Sequence, residues 1–344
     1  MKYRLDELSV IKRGGSPRPI TDYLANEGLP WLKISDFNYG ERYVYNSHEF
    51  IIPKGLNKTK LVKKNTLIVT NSATPGIPIF LGKDMCLHDG FLYFESISDK
   101  VLPMYLYYFL LKQRDFLKSQ GNGSIFINLK KEILERTIID LPDIENQNHI
   151  VNTIGTIDDL IENITNQNIK ILEIVEKIFS NLNESDIMLK DLCEIKYGKS
   201  ITASKLDNNG KYTVYGGNGI IGTLDDYMFD KSKISISCRG AAAGNVLLTT
   251  SFSTISSNSL YLNLYDESLT LPLYAFLLKA RLNNYVTGSA QPQITIENIK
   301  FLKVPIFDDY KNDNFNYIID LINNNIEKLN KLNLIKQNLL SKYF

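Results

Sequence analysis

Apolar positions in this chain follow two different periods, and the periods change places twice. From Ile150 they fall at Ile150, Ile154, Ile157, Ile161, Ile164, Ile171, Val175, Ile178 and Leu182, with Asn168 in the one remaining slot. Steps of four and three kept up over about five heptads mark a coiled-coil seam rather than an ordinary surface helix. A second run repeats the pattern at Ile318, Ile322, Asn325, Leu329, Leu332, Lys336, Leu339 and Tyr343, and a constant shift of 168 residues lays Asn168 on Lys336. A polar seam residue fixes register and partner at some cost in stability. A composition rich in Asn, Ile and Lys accounts for it equally well.

Ahead of each run the period shortens. Strand-like stretches at Trp31–Ile34, Thr66–Thr70 and Phe91–Phe94 are separated by Gly, Pro and Asn turns, and one helix is expected from about Leu102 to Lys118. Pro142 and Asp143-Ile144-Glu145 form a helix entry with Asp143 as N-cap, and Asn183–Asp186 break the period. The expected organisation is a head over 1–143, a helix over 144–184, a second head over 185–307 and a C-terminal helical segment over 308–344. The class is α+β: two repeated α/β heads separated by two long coiled-coil helices. At 1.5 Å per residue the first helix is about 50 Å long. Neither helix buries its seam alone, so the two are expected to pack antiparallel.

The heads repeat as well. Leu5–Ser16 (LDELSVIKRGGS) aligns without a gap on Leu189–Ser200 (LKDLCEIKYGKS). In the same order, TLIVTNSATPG ending at Gly76 matches KISISCRGAAAG ending at Gly244, GFLYF matches NSLYL from Asn258, and Leu102-Pro103-Met104-Tyr105 matches Leu271-Pro272-Leu273-Tyr274. Gly123-Ser124 with Glu132 then matches Gly288-Ser289 with Glu297. Five matches in register imply a duplicated unit.

Composition narrows the chemistry. The 344 residues carry 39 Lys+Arg against 38 Asp+Glu, a net charge of only +1, so any affinity for nucleic acid has to be local. Residues 1–66 hold 12 basic and 7 acidic residues, net +5, whereas 144–184 hold 2 and 7, net −5. Cys86, Cys193 and Cys238 form no CxxC pair, which speaks against a disulfide framework or structural zinc and fits a reducing cytoplasm. No leader-like or membrane-spanning apolar stretch occurs.

Two motifs are decoys. Gly217-Asn218-Gly219-Ile220-Ile221-Gly222 satisfies GxGxxG, but the TLDDYMFD that follows has no helical period, so a turn-rich β loop is expected. Gly198-Lys199-Ser200 lacks the earlier glycine of a phosphate loop because Cys193 stands there. His48, His88 and His149 are not spaced for a metal, and no nucleophile elbow, methyltransferase motif or nuclease cluster is found. No catalytic residue, metal or cofactor is expected.

The head openings IKRGGSPRP and IKYGKSIT, the WLKISDF segment (Trp31–Phe37), YGGNGIIG (Tyr215–Gly222), GSAQPQIT (Gly288–Thr295) followed by IKFLKVPIF, and DLPDIENQNHIV (Asp140–Val151) together resemble the DNA-specificity subunits of type I restriction-modification systems. The resemblance covers nearly the whole chain. It implies two target-recognition domains, each reading one half of a bipartite site in double-stranded DNA, joined by an antiparallel helical rod that sets the spacer. It further implies two methyltransferase subunits docked on the rod, restriction or translocase subunits joining that core, a cytoplasmic location, and no catalysis by the chain itself. A rod of about 50 Å suits half-sites separated by one to one and a half turns of DNA.

Base readout uses side chains able to form paired hydrogen bonds. The candidates are Lys33, Ser35, Asp36, Asn71 and Thr74 in the first head, and Tyr215, Asn218, Arg239, Ser289, Gln291 and Gln293 in the second. Lys54, Lys58, Lys60, Lys63 and Lys64 suit phosphates. The heads diverge where matched residues would read bases, Asn71-Ser72 standing against Arg239-Gly240, as expected of two different half-sites. The competing reading is a coiled-coil scaffold whose heads bind protein or carbohydrate.

Overall fold

The computed structural model describes residues 1–37, 40–120, 128–179, 185–207, 210–288, 292–305 and 314–344. Two compact units emerge, and each takes a share of both long helices: one comprises 1–159 with 334–344, the other 160–333.

In the first unit an antiparallel sheet runs in the order Ser9–Arg13, Phe91–Ile97, Leu67–Thr70, Pro78–Leu81, with Tyr43–Val44 added in parallel at one edge. A second five-stranded sheet contains the parallel pair Leu29–Leu32 and Met85–Leu87. The strands Leu67–Thr70 and Pro78–Leu81 are buried along their whole length, as unbroken apolar runs require. The expected helix is interrupted: Pro103–Lys112 and Arg114–Ser119 are separate pieces. The break lets Arg114 and Leu117 pack within about 3.5 Å of where a Cβ on Gly76 would stand. Tyr105, Tyr107 and Tyr108 fill the core beneath.

The second unit repeats the scheme with fewer strands. Cys193–Tyr197, Ser259–Leu264, Ile234–Ser237 and Val246–Leu248 form the antiparallel sheet, and Gly219–Leu224, Tyr212–Gly216 and Ser253–Ile255 a smaller one whose last two strands are parallel.

The seam runs form helices Ile144–Ile178 and Asn314–Tyr343; Leu182 lies outside the described residues. Asp143 caps the first, its Oδ1 accepting from the Asn146 N–H at 2.8 Å. Gln147, fully buried, locks this helix to the first head. Its Nε2 donates to the carbonyls of Lys100 (2.9 Å) and Pro142 (3.0 Å), and its Oε1 accepts from Leu102 N–H at 2.9 Å.

The helices are antiparallel. In the first unit Ile150 and Ile154 share a core with Leu340, and Lys336 Nζ reaches Asp158 Oδ1 at 2.6 Å. In the second, Val175 and Phe179 share a core with Ile319 and Ile322, and Asn325 Nδ2 donates to Asn168 Oδ1 at 2.8 Å. Both polar seam residues therefore have a partner on the opposite helix. None of the described helices is long and apolar enough to cross a membrane.

Candidate nucleic-acid interface

Hydrogen bonds show which residues of the two heads correspond. Asn71 N–H donates to Gly90 O and Asn71 O accepts from Leu129; Cys238 makes the same two bonds, to Asn258 O and from Ile294. Gly76 N–H returns to Thr70 O as Gly244 N–H returns to Ser237 O. Asn71 is thus the counterpart of Cys238, and Ser72, not Asn71, that of Arg239. The pairing of Asn71-Ser72 with Arg239-Gly240 is shifted by one residue, because the turn of the second head is one residue longer. Likewise His88 N–H donates to Leu32 O as Ser256 N–H donates to Tyr215 O, so WLKISDF and YGGNGIIG occupy the same place.

The glycines of the head openings have a common cause. A Cβ on Gly14 would stand 2.1 Å from His88 O, and one on Gly198 would stand 2.3 Å from Ser256 O. Gly198-Lys199-Ser200 is a crossing of two segments of the chain rather than a phosphate cradle. The GxGxxG segment is a hairpin, with Gly217-Asn218 as its two-residue turn and strand Gly219–Leu224 after it. No helix begins there.

In the second unit three candidates gather on one surface. Asn218 is exposed at the hairpin turn, and Arg239 is exposed in extended conformation (φ −143°, ψ 150°) just after strand Ile234–Ser237. Gln293, also exposed, bridges Arg239 through the backbone. Gly240 follows at φ +73°, where nothing lies within 4 Å of a would-be Cβ, and its N–H donates to Pro292 O at 2.9 Å. These segments border a cleft of about 490 Å³ that Gly217, Asn218, Arg239 and Gly240 line together with Ala242, Asn245 and Asn258. The sequence reading missed Asn245 and Asn258; the match of GFLYF to NSLYL, which starts at Asn258, was the only signal.

Other candidates fall elsewhere. Tyr215 is 4% exposed, with its hydroxyl engaged by Thr250, whose N–H donates to it at 3.1 Å. As it stands, it shapes the hairpin and has no free end for a base. Burial raises its phenol pKa. Ser289 and Gln291 lie outside the described residues.

In the first unit Ser35 and Thr74 are exposed, the latter after Ala73 at φ +55°. The Asp36 side chain is fully buried and staples its loop, with Oδ2 accepting from Lys33 N–H at 2.7 Å and Oδ1 2.7 Å from His48 Nδ1. The ammonium of Lys33 is paired with Glu49. Asn71 is 4% exposed, a position that holds the loop rather than presents an amide. Lys54, Lys58, Lys60, Lys63 and Lys64 are all exposed. Lys58 donates to Tyr23 OH (2.6 Å) and Lys63 pairs with Asp84 (2.8 Å), leaving Lys54, Lys60 and Lys64 without a side-chain partner among the described residues.

No group of three potential metal ligands occurs among the described residues. Burial pushes the Cys86 thiol to about 11 and that of Cys193 to about 12. His88 packs on Trp31, accepts from Gly90 N–H at Nδ1 (2.8 Å) and holds Asp89 at 3.1 Å through Nε2. Its burial lowers its pKa.

A repeated framework with divergent exposed loops has a known counterpart. The model of the type I restriction modification DNA specificity domain matches residues 1–173 and again 184–337. The chain belongs to this family. Curated members include the type I restriction enzyme MjaIX specificity subunit of Methanocaldococcus jannaschii, 30% identical over 182 residues, 51% of this chain and 40% of that protein. The EcoprrI specificity subunit of Escherichia coli is 19% identical over 327 residues, 87% of this chain and 82% of that one. The chain spans less than half the length of the MjaIX and MjaVIII subunits that it matches. Among solved structures, the S subunit from M. genitalium superposes with a TM-score of 0.53 at 19% identity, covering 100% of this chain and 96% of that one, which places the family's fold on all of it.

Proposed function

We propose that this chain is the DNA-specificity subunit of a type I restriction-modification complex, in which each unit reads one half of a bipartite duplex site. The paired helices set the spacer and dock methyltransferase subunits, and restriction subunits join that core. The chain contributes selection, and its partners contribute catalysis. Family membership supports this reading. The observation that carries it is the contrast at corresponding positions: one hydrogen-bonded framework holds exposed Arg239 and Asn258 in the second unit where the first has half-buried Ser72 and buried Gly90. Duplicated scaffolds that differ in chemistry and exposure at matched positions suit two unlike half-sites. Base contacts are assigned to Asn218, Arg239 and Gln293 in the second unit and to Ser35 and Thr74 in the first, and phosphate contacts to Lys54, Lys60 and Lys64.

The test is to map methylated bases in the host genome, then measure binding of the chain with its methyltransferase to a duplex carrying the mapped motif and to a scrambled one. Tight binding to the first alone is expected. Equal binding to both refutes the reading.

A further inference from the structure

We infer that the cleft of the second unit is a direct-readout site for a half-site containing guanine and adenine, with Asn245 and Asn258 as specificity-determining residues beside Arg239 and Asn218. The inference rests on the proposed selection of DNA and adds which base chemistry this unit selects and through which further residues.

The backbone of both asparagines is fixed. Asn258 O accepts from Cys238 N–H at 2.9 Å, and Asn245 sits between Ala242, whose carbonyl takes its N–H at 2.9 Å, and Ser237, whose N–H it receives at 2.8 Å. Their side chains, like those of Asn218 and Arg239, are exposed and make no side-chain hydrogen bond among the described residues. Rigid backbone with free polar ends is what recognition of a preformed surface requires.

The donor set is selective. A guanidinium can hold O6 and N7 of guanine with two hydrogen bonds, and a carboxamide can hold N6 and N7 of adenine, whereas cytosine is read through its amino group by a carboxylate. The cleft lining contains one guanidinium, three carboxamides and no carboxylate. The two-residue hairpin that carries Asn218 also leaves Ile220 and Ile221 41% and 44% exposed on its outer strand. A two-stranded ribbon fits the major groove, where apolar side chains contact the thymine methyl.

Corresponding positions in the first unit cannot do this. Ser72 replaces Arg239, Gly90 replaces Asn258 and Ile77 replaces Asn245, as the shared hydrogen bonds define. Ser35 stands three residues after Leu32 as Asn218 stands three after Tyr215. None of the four carries a guanidinium or a carboxamide, the planar groups that pair with guanine or adenine edges. The two half-sites are therefore read by different chemistry, and only the second by paired contacts at this place.

The experiment uses the full chain assembled with its methyltransferase on a library of duplexes randomised in both half-sites, with methylated products sequenced. Asn258→Ala and Asn245→Ala are expected each to relax the preference for adenine at one position, by roughly 5- to 150-fold, in the same half-site that Arg239→Ala relaxes at guanine. Ser72→Ala is expected to leave the motif unchanged. A wild-type bipartite motif that survives unaltered in the Asn245→Ala/Asn258→Ala double variant overturns this inference while the proposed function stands. Relaxation spread over both half-sites overturns it too. A wild-type complex that selects no motif removes the proposed function, and this inference with it.

Discussion

Gly14 and Gly198 are corresponding residues over which the carbonyl of His88 or Ser256 passes so closely that no side chain fits. Gly14→Ala and Gly198→Ala are each expected to cost roughly 1–3 kcal/mol through forced backbone shifts, read as a lower midpoint of chemical unfolding. An unchanged midpoint would show that the crossing gives way. His88 adds a pH dependence. Burial holds its folded pKa below 6.5, so the unfolded state takes up the proton first. The contribution of neutral His88 is complete above about pH 6.5 and is lost as pH falls through the lower folded value. The acid-side decline in thermal stability should begin at lower pH in His88→Gln; an identical profile would contradict it. The repeated glycines were visible in the sequence. The counterpart of Arg239 was not, because a turn one residue longer shifts the alignment and only the hydrogen bonds fix it.

The two helices were legible from their period, since four-three spacing has few other physical meanings. Their polar positions were not. Lys336 lies on the seam, but its partner Asp158 lies beside Ile157, off the apolar pattern, and is only 4% exposed, with Tyr108 from the first head donating to its Oδ2 at 2.8 Å. Burial and the neighbouring carboxylate raise the phenol pKa of Tyr108, which stays a donor. Removing one partner of a buried ion pair strands the other charge. Lys336→Met is therefore expected to destabilise by roughly 3–5 kcal/mol in urea unfolding. Adding Asp158→Asn should recover a substantial part, since the amide still accepts from Tyr108 and carries no charge. A double variant as unstable as the single one would mean that packing of the lysine stem dominates.

Across the whole molecule, a net charge of +1 conceals a basic segment over 1–66 (+5) and an acidic one over 144–184 (−5). If Lys54, Lys60 and Lys64 meet phosphates, replacing all three with Ala should weaken binding of the assembled complex equally on cognate and scrambled duplexes. The slope of log affinity against log salt should fall by about 0.9 for each phosphate no longer neutralised. Weakening confined to the cognate duplex would make them base readers instead. The duplication, the helices and the family resemblance could be read from the sequence, because each is a regularity in order and spacing that survives divergence of individual residues. Which side chains face outward could not. Lys33, Asp36, Asn71 and Tyr215 are polar and stand on turn-rich segments, as do Asn218 and Arg239, yet packing engages the first four and leaves the last two free. Asn258 and Asn218 join Arg239 at one cleft only because backbone pairing brings together residues some twenty positions apart, while Asn245 reaches it through the local turn. Period and repetition are local properties of a chain, whereas exposure and convergence depend on what the rest of the fold covers.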